Sequence, residues 1–166
     1  MLTGFQYRAA LSITRVSVKD LSKAIGMHEV SLLRYKKTPN LEYVNCHSKN
    51  VENILDFFKN QNMLFHNKYS IQLKVNNKST NLTRFHIVTA RIATGLNQNQ
   101  LSRILQTSPG TLSILENKKN TDIIKTRTFK NSYLISFFNH IGIAFGHDYT
   151  VVLNKDPKNF IEKLKC

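Results

Sequence analysis

One stretch of sequence, residues 97–118, decides how the chain is expected to fold: Asn-Gln-Asn-Gln-Leu-Ser-Arg-Ile-Leu-Gln-Thr-Ser-Pro-Gly-Thr-Leu-Ser-Ile-Leu-Glu-Asn-Lys. Leu101 and Leu105 are four positions apart, which predicts that they share one face of a short helix. After a break, Ser108 offers a capping oxygen and Pro109 a first turn for a second helix. The stretch therefore predicts two short helices joined by a tight turn.

This pair of helices resembles the helix-turn-helix of the Cro and phage-repressor family, also called XRE-like. Small, apolar and polar side chains at fixed spacing carry the resemblance: Gln98, Leu101, Ser102, Leu105, Leu112, Leu115 and Glu116. Ser102 lies where two steeply crossing helices would touch, so a small side chain is needed there. The departure is Gln106, because the family usually has glycine at that turn position, which tends to need positive φ. The resemblance implies a DNA-binding regulator of bacterial or phage origin.

A second copy of the stretch occurs in the first half of the chain, from Val18 to Lys37. A gapless offset of 80 pairs identical residues, namely Leu2, Thr3, Phe5, Leu21, Ser22, Leu32, Phe57, Phe58, Phe65, Tyr69 and Leu73 with Leu82, Thr83, Phe85, Leu101, Ser102, Leu112, Phe137, Phe138, Phe145, Tyr149 and Leu153. We call the two members of any pair at this offset counterparts. Identities at one offset over so long a span indicate a duplicated unit. The earlier copy keeps a turn glycine, Gly26, but has Val18 and Lys36 where the later copy has Gln98 and Glu116.

The predicted fold is mainly α, with two lambda-repressor-like helix-turn-helix units of about four helices, each ending in a short β-strand. The units are residues 1–74 and 81–154, the linker is 75–80, and the tail 155–166 is expected to contain a short helix on Asp156, Pro157, Phe160, Ile161 and Leu164. Within the first unit the expected helices are 3–14, 18–25, 28–36 and 51–61, with a long loop at 37–50 that corresponds to 117–130.

The predicted strands are 69–73 and 149–153. A lone short strand leaves backbone groups unpaired, so these strands are expected to pair with each other or, in a homodimer through the C-terminal strands, with a second chain. Asn62 and Gly142 are expected to end the fourth helices in the left-handed conformation.

The charge balance points to a polyanionic partner. Lysine and arginine number 24 against 10 acidic residues, for a net charge of +14, and the two halves of the chain carry equal shares of it. Such a field favours DNA, RNA or an anionic membrane, although a merely soluble basic surface is the alternative. No apolar run is long enough to span a bilayer, and residues 1–10 do not resemble a signal peptide. Two cysteines, Cys46 and Cys166, form no disulfide framework, which suits a reducing cytoplasm.

Enzymatic chemistry has little support in the sequence. The six histidines and two cysteines show no metal-ligand spacing, and no phosphate-binding loop, dinucleotide fingerprint or nucleophile motif is present. We therefore expect no catalytic residues, no cofactor and no metal.

The resemblance also implies which residues face DNA, with recognition helices at 28–37 and 108–117. They are His28, Glu29, Val30, Leu33, Arg34 and Lys37 in the first copy, and Ser108, Pro109, Gly110, Ser113, Ile114 and Asn117 in the second, with Gln98, Lys118 and Lys119 as further contacts. Arg34 suits either guanine recognition or a phosphate contact. Gln98 suits either a phosphate contact or an exposed helix cap. The second set is poor in long donors, which favours reading DNA shape and backbone.

Two other functions remain open at this point. A protein-interaction module, such as an antitoxin or adaptor, is favoured by the apolar Val30 and Leu33. An RNA-binding protein would need aromatic side chains exposed on a sheet, whereas Phe57, Phe58 and their counterparts have the helical spacing of core residues.

Overall fold

The structure, a computed structural model, describes residues 1–76, 79, 81–126 and 130–163. It is mainly helical, with one small antiparallel sheet. The elements before the linker are α1 Gly4–Thr14, α2 Val18–Ile25, α3 Glu29–Tyr35, α4 Ser48–Asn60, β1 Met63–Leu64 and β2 Ser70–Leu73. Those after it are α5 Arg84–Thr94, α6 Gln98–Ile104, α7 Pro109–Asn117, α8 Asn131–His140, β3 Ile143–Gly146, β4 Thr150–Leu153 and α9 Lys158–Lys163.

Local sequence explains where α1 and α5 begin. The Thr3 amide donates to Gln6 Oε1 at 3.0 Å and the Gln6 amide donates to Thr3 Oγ1 at 3.3 Å, and the two bonds form a capping box. Their counterparts Thr83 and His86 form the same box, with histidine in place of glutamine. Phe5, Ala9 and Ile13 form the buried apolar stripe of α1.

The predicted helix boundaries hold with one correction. The fourth helix begins at Ser48 rather than at residue 51, because its first turn, Ser48 to Asn50, is polar and gives no periodic apolar signal. The left-handed residues that end the fourth helices are confirmed, with φ of 63° at Asn62 and 94° at Gly142.

The sheet differs from the prediction in its number of strands. The expected strands are present as β2 and β4, but each follows a partner, β1 or β3, so each half ends in a β-hairpin rather than in one strand. Strand β1 is only two residues long, too short for an alternating pattern to be visible in the sequence. The strand order is β1-β2-β4-β3. Both edges of β2 and of β4 are thus occupied within the chain, and the outer strands are β1 and β3.

The pairing of β2 with β4 is reciprocal. Ile71 faces its own counterpart, Val151, and the flanking pairs are Ser70 with Val152 and Gln72 with Thr150. The backbone amides beyond them follow the same rule: Leu73 donates to Tyr149 O at 3.0 Å and Leu153 donates to Tyr69 O at 2.8 Å. Each contact between the two strands is therefore repeated with the counterparts exchanged, as in a two-fold symmetric contact.

Helices α1 and α5 pack against each other, and their contacts are also repeated with the counterparts exchanged. The Asn40 side-chain amide donates to Ala93 O at 2.7 Å, and the Asn120 side-chain amide donates to Ile13 O at 3.2 Å. Asn40 and Asn120 are counterparts, and so are Ile13 and Ala93. A hydrophobic core that includes Phe5, Phe58, Phe85 and Phe138 fills both halves.

The tail forms the expected helix, α9, which packs on α5. Asp156 accepts from the Lys158 amide at 3.1 Å, and Ile161 is buried. Asp156 also accepts from the Asn40 side chain at 2.7 Å, so the tail contacts the first half as well as the second. Leu164, Cys166, part of the predicted linker and part of the loop at 117–130 lie outside the described residues.

Candidate nucleic-acid interface

The turn between α2 and α3 has the geometry that the sequence predicted. Gly26 is left-handed, with φ of 66°, and the Met27 amide donates to Ser22 O at 3.2 Å. The Ser22 hydroxyl in turn donates to Met27 O at 2.5 Å. A Cβ added at Gly26 would contact nothing within 4 Å, so glycine serves the backbone conformation there and not the packing.

The turn between α6 and α7 has the same left-handed backbone and the same hydrogen bond, although it contains no glycine. Gln106 has φ of 50°, and the Thr107 amide donates to Ser102 O at 2.9 Å. Ser102 is buried where α6 meets α7, as expected. Ser108 caps α7 by accepting from the Thr111 amide at 3.1 Å, and Pro109 occupies its first turn. The departure seen in the sequence at Gln106 is therefore tolerated as a left-handed residue.

The predicted recognition residues of the first half share the exposed face of α3 and its ends. His28, Glu29, Val30, Leu33, Arg34 and Lys37 are all exposed, whereas Leu32 and Tyr35 on the other face are buried. Val30 is 78% exposed, so its apolar side chain is available to a binding partner. The Arg34 guanidinium carbon lies 6.0 Å from the centre of the Tyr35 ring.

In the second half the equivalent face carries fewer charged side chains. Ser108, Pro109, Gly110, Asn117 and Lys119 are exposed, and Ser113 and Lys118 are partly exposed. Ile114 is 68% exposed. Apart from the two lysines that follow the helix, this face offers short polar and apolar groups rather than long donors.

Gln98 lies beside a buried ion pair. Glu116 is 8% exposed and binds Arg91 through both oxygens, at 2.5 Å to Nε and 2.7 Å to Nη2. The Gln98 side-chain amide donates to the same carboxylate at 3.0 Å. These contacts tie the start of α6 to the end of α7 and to α5. The counterparts of these three residues are Leu11, Val18 and Lys36, so the whole cluster is missing from the first half.

A groove of about 440 Å³ runs beside α3 and the start of α4. Its polar lining includes His28, Arg34, Asn45, His47 and Asn50. These donors lie next to the exposed face of α3, so an anionic backbone lying along that face would meet them together.

Sequence reasoning missed three arginines that hold the ends of α3 and α7. Arg8 donates to Lys36 O at 3.0 Å and also to Thr38 O. Arg84 donates to Glu116 O at 2.5 Å, and Arg15 donates to Asn117 O at 2.8 Å and Lys118 O at 2.7 Å. These carbonyls belong to helix ends and their flanks, where cations are favourable. No local pattern marks these arginines, because the carbonyls lie far away along the chain.

Arg84 is the most deeply placed of the three, at 4% exposed. Burial, followed by the nearby Arg15, lowers the pKa of Arg84 to about 10, while Glu116 acts in the opposite direction. Its guanidinium also reaches Asn120 Oδ1 and two carbonyls of α1, Ser12 O at 3.2 Å and Ile13 O at 3.4 Å. Arg84 thus joins the second half to the first.

No group of three histidine, cysteine or acidic side chains within the described residues is arranged to hold a metal ion. None of the helices in that part of the chain is both long and apolar enough to cross a bilayer. Phe58 and Phe138 are fully buried, as expected for core residues, whereas Phe57 and Phe137 are only partly buried and pack against the core.

Comparison with known proteins finds no family profile, no curated protein and no solved structure that matches this chain.

Proposed function

We propose that the protein is a sequence-specific double-stranded DNA-binding protein, and more specifically a transcriptional regulator built from two lambda-repressor-like helix-turn-helix units, 1–74 and 81–154. The observation that carries this proposal is a pair of exposed helices, α3 and α7, each following a short helix through a left-handed turn, in a chain of net charge +14. Exposed second helices of this kind enter the major groove in the proteins that the sequence resembles.

The reciprocal contacts support the interpretation of the two halves as copies of one unit. Helices α1 and α5, α2 and α6, and α3 and α7 begin at counterpart positions, and so do strands β2 and β4. The contacts between β2 and β4 and those of Asn40 and Asn120 are the kind that two identical subunits make across a two-fold axis. A single chain would then present both recognition helices of a dimer. The two half-sites are expected about 10 base pairs apart.

The two recognition faces are not equivalent, so the DNA site should not be a palindrome. Arg34, His28 and Lys37 give α3 long donors for base edges and phosphates. The α7 face offers Ser113 and Asn117 instead. One half-site should therefore be strongly specified, and the other should be read mainly through shape and backbone.

A salt series on the full chain tests DNA binding. The logarithm of the association constant for a random-sequence duplex should fall linearly with the logarithm of the salt concentration. The slope of this line should be about −0.9 for each phosphate that the protein neutralises. On a selected site, Arg34→Ala should weaken binding by roughly 1–3 kcal/mol if the contact to guanine is bidentate. Ser113→Ala serves as the matched control and should cost less than about 0.5 kcal/mol. An association constant that does not change with salt concentration would contradict the proposal.

A second candidate function is a protein-interaction module. Val30, Leu33 and Ile114 favour it, with exposed fractions of 78%, 44% and 68% on the outer faces of α3 and α7. On DNA the same side chains would meet thymine methyl groups. A Val30→Ser variant distinguishes the two functions. If Val30 contacts DNA, the variant should lose the preference for thymine at one position of the site. In the other case, it should leave DNA binding unchanged.

A further inference from the structure

A cavity of about 310 Å³ lies between the two halves and gathers an unusual number of cations. Its walls come from the end of α1, the residue after α4, the start of α5 and the segment after α7. Four of its lining residues are basic, namely Arg15, Arg84, Lys118 and Lys119, and the others, including Gln61 and Asn120, are uncharged. The cavity therefore has a strongly positive lining contributed by both halves of the chain.

Among the described residues, no carboxylate forms an ion pair with any of these four cations. The charge of Glu116 acts favourably on Arg84, but its carboxylate is bound by Arg91 and Gln98, and Asp122 accepts from the Lys119 backbone amide at 3.0 Å. Cations brought together with so little counter-charge repel one another, which favours binding of an anion there.

The four cations of the cavity have no basic counterparts in the other half. The counterparts of the four cations are Gly95, Gly4, Thr38 and Pro39, none of which is charged. On that side Arg8 reaches Asn40, which is shared with the Asp156 carboxylate, so positive and negative groups lie together. The Lys158 side chain also lies beside Gly95 on that side, so the two sides differ in the nearby Asp156 carboxylate and not in the presence of cations.

Arg15 ends α1 and brings donors of its side chain to the cavity. Arg15 is left-handed, with φ of 58°, a conformation that is unfavourable for a residue with a Cβ. Its counterpart Gly95 adopts the same conformation, with φ of 70°. An arginine is therefore retained where the backbone favours glycine. Only its Nη2 atom bonds to the carbonyls at and after the end of α7, which leaves Nε and Nη1 without a partner among the described residues.

We propose that this cavity binds a phosphate group through Arg15, Lys118 and Lys119, with Arg84 as its fixed inner wall. A phosphate carries several acceptor oxygens and up to two charges, and arginine and lysine are the side chains that bind it best. The phosphate belongs either to a small free phosphate compound or to the backbone of bound DNA between the two half-sites. Only the second source rests on the proposed function.

The test uses the full chain and two probes at constant ionic strength within each comparison: sodium pyrophosphate by calorimetric titration, and random-sequence duplex DNA at a series of salt concentrations. The variants are Arg15→Gly and Lys119→Gln, with Lys74→Gln as a control at an exposed lysine outside the cavity. Thermal melts check that each variant folds. Lys119 is exposed, so its variant keeps the test valid if Arg15→Gly does not fold.

If the source is a free phosphate compound, pyrophosphate binds saturably and each cavity variant weakens it by about tenfold, while the control changes it by less than about twofold. If the source is DNA, pyrophosphate does not saturate, and each cavity variant reduces the salt slope by about 0.9 relative to the control. Cavity variants that match the control with both probes would overturn the proposal. A chain that binds pyrophosphate but no DNA would refute the proposed function and leave the phosphate site standing.

Discussion

The most quantitative prediction concerns His86, the histidine that replaces glutamine in the capping box of α5. Its side chain is 2% exposed, accepts from the Thr83 amide at 3.1 Å through Nδ1, and stacks on Tyr149 with the ring centres 5.7 Å apart. Burial lowers the pKa of His86 to about 4 from a usual 6.5, and the weaker effects of the Gly146 carbonyl and Asp148 oppose that shift. Protonation would also remove the Nδ1 acceptor that caps the helix.

The folded state binds a proton at His86 less readily than the unfolded state does, so its contribution to stability is complete above pH 6.5 and is lost as the pH falls toward 4. Between about pH 7.5 and about pH 5.0 linkage predicts that the free energy of unfolding decreases by about 2 kcal/mol because of this residue alone. Urea unfolding followed by circular dichroism at the two pH values measures the decrease.

The matched variant is His86→Gln, because Gln6 fills the equivalent place, where its amide also donates to Ser70 O at 2.8 Å. This variant should lose about 2 kcal/mol less than the natural protein between the two pH values. His47→Gln, at an exposed histidine, is the control, and it should lose as much free energy of unfolding between the two pH values as the natural protein does. Equal losses in the natural protein and in His86→Gln would refute the reasoning.

Two further predictions concern stability. Gln106→Gly should raise the free energy of unfolding by roughly 0.5–1 kcal/mol because it relieves a left-handed residue. The reverse change, Gly26→Gln, should lower it by about 1 kcal/mol, and equal urea midpoints for all three proteins would contradict the strain argument. Glu116→Ala should cost about 2–3 kcal/mol, because it removes the ionic partner of Arg91, which is partly buried at 15% exposure and keeps its bond to Leu96 O. Lys125→Ala, at an exposed site, is its control, and a similar loss in both variants would contradict the importance of the pair.

The sequence predicted most helices because their signals are local. Capping residues such as Thr3 and Ser108 and the spacing of Leu101 and Leu105 act within one or two turns of helix. The constant offset of 80 residues carried the same predictions into the first half, where the motif is weaker. Strands β1 and β3 and the polar first turn of α4 were missed. Strand β1 and that first turn contain no periodic apolar pattern, and Ile143 to Phe145 in β3 is a continuous apolar run without alternation.

The contacts between the halves could not be predicted in the same way. Arg15 and Arg84 reach carbonyls that are distant in sequence, and long polar side chains leave no periodic signal. The burial of Arg91 with Glu116 was equally hidden, since a sequence pattern does not distinguish a charged residue in a paired interior from one on the surface. The exposure of the predicted DNA-facing residues could be predicted from the sequence, because the apolar residues on the opposite face of each helix show which side is buried.

The most direct measurement of the central claim is selection of bound sequences by the full chain from a pool of random duplex DNA, at a low and a moderate salt concentration. The account predicts an asymmetric site with one strongly specified and one loosely specified half, about 10 base pairs apart, and weaker recovery at the higher salt concentration. Perfect palindromes would show that two chains share the site, which would contradict the single-chain arrangement. No enrichment at either salt concentration would contradict sequence-specific DNA binding itself.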